Sequence, residues 1–175
     1  KIATSAFEEY NYSKAKLETD NFFWRTLCDN YLEIVKNRVY NGNEQQKASA
    51  YYTLYQALLS VLKLYAPFTP YITEELYQQH FKKHEKNDSV HISDWPASFK
   101  VKTGKDDYKI WNKLIEIITL VRQKKSEAKK SVKVEIVLTI TKEDLKILDS
   151  VLDDLKAVLN AKDIKEGRFD VEFLS

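Results

Sequence analysis

The sequence predicts a mainly α chain, an up-down antiparallel helical bundle followed by a small α/β tail in the order helix, strand, helix, strand. Three observations carry this. Only three glycines and three prolines punctuate 175 residues, so long helices should dominate. Apolar residues recur three and four positions apart through most of the first hundred residues, the period of helices packed along one face. Val132, Val134, Ile136, Leu138 and Ile140 then alternate strictly with other residues, the period of a strand covered on one side. Residues 1–99 are expected to form the bundle and 100–175 the tail.

The elements follow in order. The opening KIATSAFEEY reads as though entered midway along a helix, which suggests a piece of a longer chain. Ser13 is an expected N-cap after Tyr10-Asn11-Tyr12, and the helix it starts should run to about Tyr40 on a stripe of Phe23, Leu27, Tyr31, Ile34 and Val35. Asn41-Gly42-Asn43 should end it, with Gly42 in the left-handed conformation. A bundle helix from about Glu44 to Tyr65 places Tyr51, Tyr55, Leu58, Leu62 and Tyr65 on one face. Pro67 and Pro70 interrupt it, and Thr69-Pro70 reads as an N-cap and first-turn proline for a helix reaching Phe81.

Ala97 to Gly104 is an expected connector. Ile110, Leu114, Ile117 and Val121 mark the buried face of the next helix, which runs into RQKKSEAKKSVK. After the strand, Leu145, Leu148, Leu152, Leu155 and Leu159 return to helical spacing, and Ile164 with Phe169, Val171 and Phe173 suggests a last strand. If the two strands are parallel, their crossover should be right-handed.

Composition narrows the function. A net charge of +2 gives no global field to attract an anionic polymer, so any such attraction must come from local patches. One cysteine, Cys28, permits no internal disulfide and fits a reducing compartment, with cytoplasm expected. No run of about 18 apolar residues marks a membrane span. His80 and His84 lie four apart with Glu85 beside them, but the HExxH arrangement and a cysteine partner are lacking, so no metal site is assigned. No nucleophile with an adjacent base is evident either, which disfavours a stand-alone enzyme.

Three blocks of residues carry a resemblance. Phe23-Trp24 precedes Leu27-Cys28-Asp29-Asn30-Tyr31-Leu32-Glu33 and Lys36. Leu58-Leu59 with Leu62 leads to Ala66-Pro67-Phe68-Thr69-Pro70-Tyr71-Ile72-Thr73-Glu74-Glu75-Leu76-Tyr77. Ser89-Val90-His91-Ile92-Ser93-Asp94-Trp95-Pro96 is the third. In this order they resemble the class I aminoacyl-tRNA synthetases. The Cys-Asp-x-Tyr-Leu-Glu-x-x-Lys run is similar to the valine-specific branch more than to the isoleucine and leucine branches. The resemblance covers about residues 8 to 96 and is weaker in the tail, through Ile118, Val121 and Arg122.

It implies that residues 1–99 belong to the anticodon-binding bundle without its first helix or helices, which the family places upstream, and that the third block closes it. A tRNA, valine-specific by resemblance, would be the partner, and the chain would act as a monomer beside a catalytic domain of the same protein. ATP with magnesium is implied for that domain only. The family's catalytic signatures His-Ile-Gly-His and Lys-Met-Ser-Lys-Ser are absent. His91-Ile92 and Lys124-Lys125-Ser126 resemble scraps of them in the wrong contexts, so this chain should be inactive alone. The isoleucine or leucine enzyme and a helical protein scaffold are the alternatives.

RNA binding calls for cations on phosphates and flat side chains on splayed bases. Arg25, Lys36, Arg38 and Tyr40 are candidates from one helix, Arg25 and Lys36 standing eleven residues, or about three turns, apart. Pairing of Arg25 with Asp29 and of Lys36 with Glu33 is the competing possibility. Arg122, Lys124, Lys125, Lys129 and Lys130 are candidates from the basic stretch, where Lys133 makes a sixth cation against the single acid Glu127. Solvated helix-end lysines are the alternative there. Tyr51, Tyr55 and Tyr65 are expected in the core.

Overall fold

The computed structural model describes residues 1–97, 104 and 106–174. The helices are α1 (Ile2–Glu8), α2 (Tyr12–Asp20), α3 (Leu32–Asn41), α4 (Glu44–Tyr65), α5 (Pro70–His80), α6 (Asp107–Glu127), α7 (Lys142–Leu148) and α8 (Leu152–Leu159), with Asn21–Tyr31 wound in wider π-type turns between α2 and α3. Strands are β1 (Ile136–Ile140), β2 (Ala161–Glu166) and β3 (Asp170–Phe173). Among the described residues no helix is long and apolar enough to cross a membrane. The chain is thus mainly helical with a small α/β tail. It divides into two units, Lys1–Leu32 with Asn43–Lys100, and Glu33–Gly42 with Val101–Ser175. The expected boundary at residue 99, like most of the expected connector, lies outside the described residues. A purely sequential division still misses one element, because Glu33–Gly42, which holds all of α3 but Leu32, clusters with the later residues.

In the first unit, α1 packs on α2, and the small residues Ala3 and Ala6 of α1 and Ala15 and Thr19 of α2 are buried. Asn11, not Ser13, caps α2, its side chain accepting from the Lys14 N–H. Asp20 accepts from Lys16 Nζ at 2.7 Å and from the Tyr65 hydroxyl at 2.6 Å, tying α2 to α4. These bonds, Lys16 first, hold its carboxyl below the usual range. Asn43 and Gln46 form a reciprocal capping box that starts α4.

The buried stripe of α4 is rotated from the expected one. Leu59, Leu62 and Ala66 form a core with Tyr77, Phe81 and Val90, while Ala50 and Val61 are buried on another side of the helix. Tyr51 is 56% exposed, so it is not a core residue. Tyr55 and Tyr65 are half-buried, their hydroxyls donating to Glu85 and Asp20. Burial, then the Glu85 bond, pushes the Tyr55 hydroxyl up to about 12.

Thr69 precedes Pro70 at the start of α5, yet its hydroxyl donates back to the Tyr65 carbonyl and makes no cap. The third sequence block closes this unit. Glu74 accepts from the Ser89 hydroxyl at 2.8 Å and the Val90 N–H at 3.0 Å, and Val90 is buried. Trp95 donates to Thr4 Oγ1 at 3.0 Å and meets Phe7 edge-on at 5.0 Å.

In the second unit the sheet order is β2-β1-β3, with β2 parallel and β3 antiparallel to β1. A parallel neighbour needs a crossover of a dozen or more residues, and α7 and α8 supply it. The expected single last strand is therefore two strands. The signal was a change of parity: Ile164 faces the same way as Leu138, its partner, and so does Val171, although their separation is odd. Gly167 makes the turn over the end of β1, its N–H donating to the Ile140 carbonyl at 2.9 Å. β1 is also shorter than the alternation suggests, beginning at Ile136 and leaving Val132 exposed. Ile136, Leu138 and Ile140 join Leu114, Ile117, Ile118 and Val121 of α6, Leu148, Leu155 and Leu159, and Ile34 of α3 in one core.

Gly42 does not take the left-handed conformation expected of it; the described positive-φ residues are Tyr10, Lys129 and Asn160. After α1, Tyr10 and Asn11 donate to Phe7 and Ala6, the Schellman pattern that satisfies terminal carbonyls.

Two outcomes are expected. A Cβ at Gly167 would stand 2.8 Å from Thr139 Cγ2, so Gly167→Ala should lower unfolding free energy in urea by about 1–3 kcal/mol, and adding Thr139→Ser, which removes that methyl, should recover most of it. For Glu74, burial raises its pKa, but the Ser89 hydroxyl, the Gln78 amide, the Val90 N–H and His91 outweigh it and hold the carboxyl below the ordinary value. The unfolded chain then takes up this proton first, so Glu74 stabilises fully above its unfolded pKa of about 4.3 and loses that contribution as pH falls through the lower folded value. Acid titration of thermal stability should show a shallower decline in Glu74→Gln than in the parent.

Candidate nucleic-acid interface

The sequence candidates separate by what their charges already touch. Arg25 is exposed in the first unit, and its carbonyl accepts from the Asn30 amide, five residues on, at 2.7 Å. The three-turn count to Lys36 assumed 3.6 residues per turn, which does not hold through the π-type turns of Asn21–Tyr31. Lys36 pairs with Glu33 at 2.6 Å, as the alternative reading has it. Cys28 is half-buried, and burial, with Asp29 adding to it, pushes its thiol up, away from a nucleophilic thiolate.

Arg38 is not a phosphate ligand waiting in solvent. Its Nε donates to both Asp154 carboxylate oxygens at 2.9 Å, and its terminal nitrogen bonds the same group. The Asp154 side chain is 5% exposed and that of Arg38 35%. With Ile34 and Val35 buried beside it, Arg38 anchors α3 in the second unit. Tyr40, two residues later, is 74% exposed, so its ring is presented to solvent.

The basic stretch divides within itself. Arg122 is half-buried on α6. Lys125, expected to meet RNA, is 2% exposed and its Nζ donates to the carbonyls of Val132 at 2.8 Å, Val134 at 3.0 Å and Leu159 at 2.8 Å. An ammonium has three donors, and all are used. Periodicity could have found it, since Lys125 follows Leu114, Ile117, Ile118 and Val121 along the apolar face of α6. Lys124, Lys129 and Lys130 are exposed. Lys133, which the sequence candidates omitted, is exposed too, and its carbonyl accepts from the Asn160 amide at 2.7 Å.

Other charged features offer less to an anion. A cleft beside α6 and α7 is lined by Asp106, Lys109, Glu143, Lys146 and Asp149, with acids outnumbering lysines. Among the described residues no set of three His, Cys, Asp or Glu side chains could hold a metal. Glu85, beside His84, accepts the Tyr55 hydroxyl.

Comparison with known proteins adds the family. A model described as the anticodon-binding domain of tRNA ligase matches residues 1–141. The chain is 37% identical over 166 residues to the valine–tRNA ligase of Orientia tsutsugamushi (strain Boryong), covering 91% of this chain and 19% of that protein. It is 39% identical over 171 residues to that of Rickettsia felis, covering 94% and 19%, and 38% identical over 170 residues to that of Ehrlichia ruminantium (strain Welgevonden), covering 95% and 20%. The chain spans about a fifth of the length of these relatives.

Removing one member of the Arg38–Asp154 pair leaves the other's charge uncompensated. Arg38→Met should destabilise the chain by about 3 kcal/mol, the low end of what breaking a buried pair costs because Arg38 is a third exposed. Arg38→Met with Asp154→Leu should recover most of the loss in chemical denaturation, and the coupling read from this cycle measures the pair.

Proposed function

Because the chain belongs to the anticodon-binding domain family of tRNA ligases, we propose that it docks the anticodon stem and loop of a transfer RNA, the one that accepts valine. The observation that supports this most is the family match itself, which spans the described first unit and, in the second, α3, α6 and β1. The relatives' identity as valine–tRNA ligases supports the choice of amino acid. Binding energy is the mechanism. Phosphate contacts set the register of the RNA, base contacts select the anticodon, and discrimination is the difference between two affinities.

In this reading Arg25 and Tyr40 are candidates for contact from the helical segments, and Lys124, Lys129 and Lys130 for contact from the basic stretch. Lys36 can exchange Glu33 for a phosphate, since both are exposed and such a pair is worth little. Ligation of valine, with ATP and magnesium, belongs to a catalytic domain outside this chain. The chain works as a monomer in the cytoplasm.

Fluorescence anisotropy with the valine tRNA transcript tests this. The chain should bind it, and transcripts with exchanged anticodon bases should bind at least about tenfold more weakly, the scale of one lost base contact. Preference for an isoleucine or leucine transcript would reassign the specificity. Affinity that ignores ionic strength would favour an apolar protein scaffold instead.

A further inference from the structure

The end of α6 carries a feature that anticodon reading does not use. Ala128 and Lys129 donate to Lys124 and Ser126, and Lys130 donates to Lys125 at 2.8 Å, with Lys129 left-handed at φ 52°. This Schellman turn would ordinarily carry glycine at its left-handed position, because an L side chain there brings its Cβ too close to the backbone. A lysine stands there instead. The chain then folds back so that the Val132 and Val134 carbonyls both reach the Lys125 ammonium, which brackets Lys133 against it.

Five ammonium groups, those of Lys124, Lys125, Lys129, Lys130 and Lys133, therefore lie within ten residues of a closed turn. The one acid among them, Glu127, accepts from Gln123 at 2.9 Å. Among the described residues, no carboxylate lies within ion-pair distance of Lys124, Lys129, Lys130 or Lys133. The cations elsewhere in this unit that the sequence suggested for RNA, Lys36 and Arg38, are paired. The open face of the sheet is the opposite case. There Val137 and Thr139 are flanked by Asp163, Lys165, Asp170 and Glu172, a surface that repels phosphate.

We propose that this turn is a phosphodiester-binding site of the second unit, in which Lys124, Lys129, Lys130 and Lys133 neutralise RNA backbone phosphates without reading bases, and Lys125 is the positioning residue that fixes the turn. The proposal rests on the tRNA reading above and deepens it by assigning part of the binding to sequence-independent contacts. Clustered like charges repel one another, and a bound phosphate backbone relieves that repulsion while releasing counterions.

The full chain is titrated with the valine tRNA transcript and with an unrelated RNA hairpin at several salt concentrations. The slope of log affinity against log salt should fall by about 0.7–0.9 for each lysine that contacts a phosphate. The variant with Lys124→Gln, Lys129→Gln, Lys130→Gln and Lys133→Gln should bind both RNAs at least about tenfold more weakly at low salt, with the discrimination between anticodon-exchanged transcripts unchanged. Lys125→Met should lower the slope although its side chain is buried, whereas Leu155→Ala, a core truncation elsewhere in the unit, should leave the slope alone at temperatures where it stays folded.

A quadruple variant that keeps the parental slope and affinity, while the parent binds tRNA, overturns the role of the turn alone. A parent that binds neither RNA overturns the tRNA reading and the turn with it. A quadruple variant that loses anticodon discrimination makes these lysines base readers and overturns the claim of sequence-independent contact.

Discussion

The second unit depends on one buried ammonium. Lys125 ends the apolar face of α6, and its three protons are shared among carbonyls from two other segments, the stretch entering β1 and the end of α8. Burial works against the charge and pushes the Lys125 pKa down. Three carbonyl partners and the partial negative charge at the end of α8 work for it. The balance matters because without the lysine the Val132, Val134 and Leu159 carbonyls would each need another donor in a dry place. The same contact explains why β1 begins late: carbonyls that would extend a ladder are turned to Lys125.

That interaction also separates charge used inside the protein from charge displayed outside it. Arg38 and Lys125 are internal fastenings, one to a buried carboxylate and one to backbone dipoles. Each costs desolvation, and each returns a fixed position for a helix end or a turn. The neighbours of Lys125 have no such engagement, so their mutual repulsion is stored on a turn that cannot spread apart. The candidate base readers Arg25 and Tyr40 and the lysines proposed to meet phosphates lie on different pieces of chain, so the proposal treats specific and non-specific contacts as separable.

Helices were legible in the sequence because their signals are local. Pro70 at a first turn and the apolar spacing of α6 each depend on residues a few positions apart. The failures are non-local or of fine phase. Stripes of α4 one position apart differ only in which neighbour covers them, so Tyr51 looked buried. Glu33–Gly42 joined the later residues because Asp154 lies 116 positions from Arg38, a pairing no window can contain. Gly42 drew the left-handed assignment that Lys129 and Tyr10 actually hold, and neither residue type signals it; Asn160, which tolerates that conformation, could have been found. For the candidate interface, counting cations located the basic stretch but could not tell a lysine pointing inward from one pointing out.

The turn at Gly167 decides more than the path of the chain. By carrying β3 across the end of β1 to its far side, it encloses the most apolar strand between two others and leaves the rims to β2 and β3. Those rims carry Lys162, Asp163, Lys165 and Glu166 on one side and Asp170 and Glu172 on the other. A stray strand approaching either rim meets ionised side chains before it finds a free carbonyl, so the sheet is protected from growing by addition of neighbouring molecules in a crowded cell.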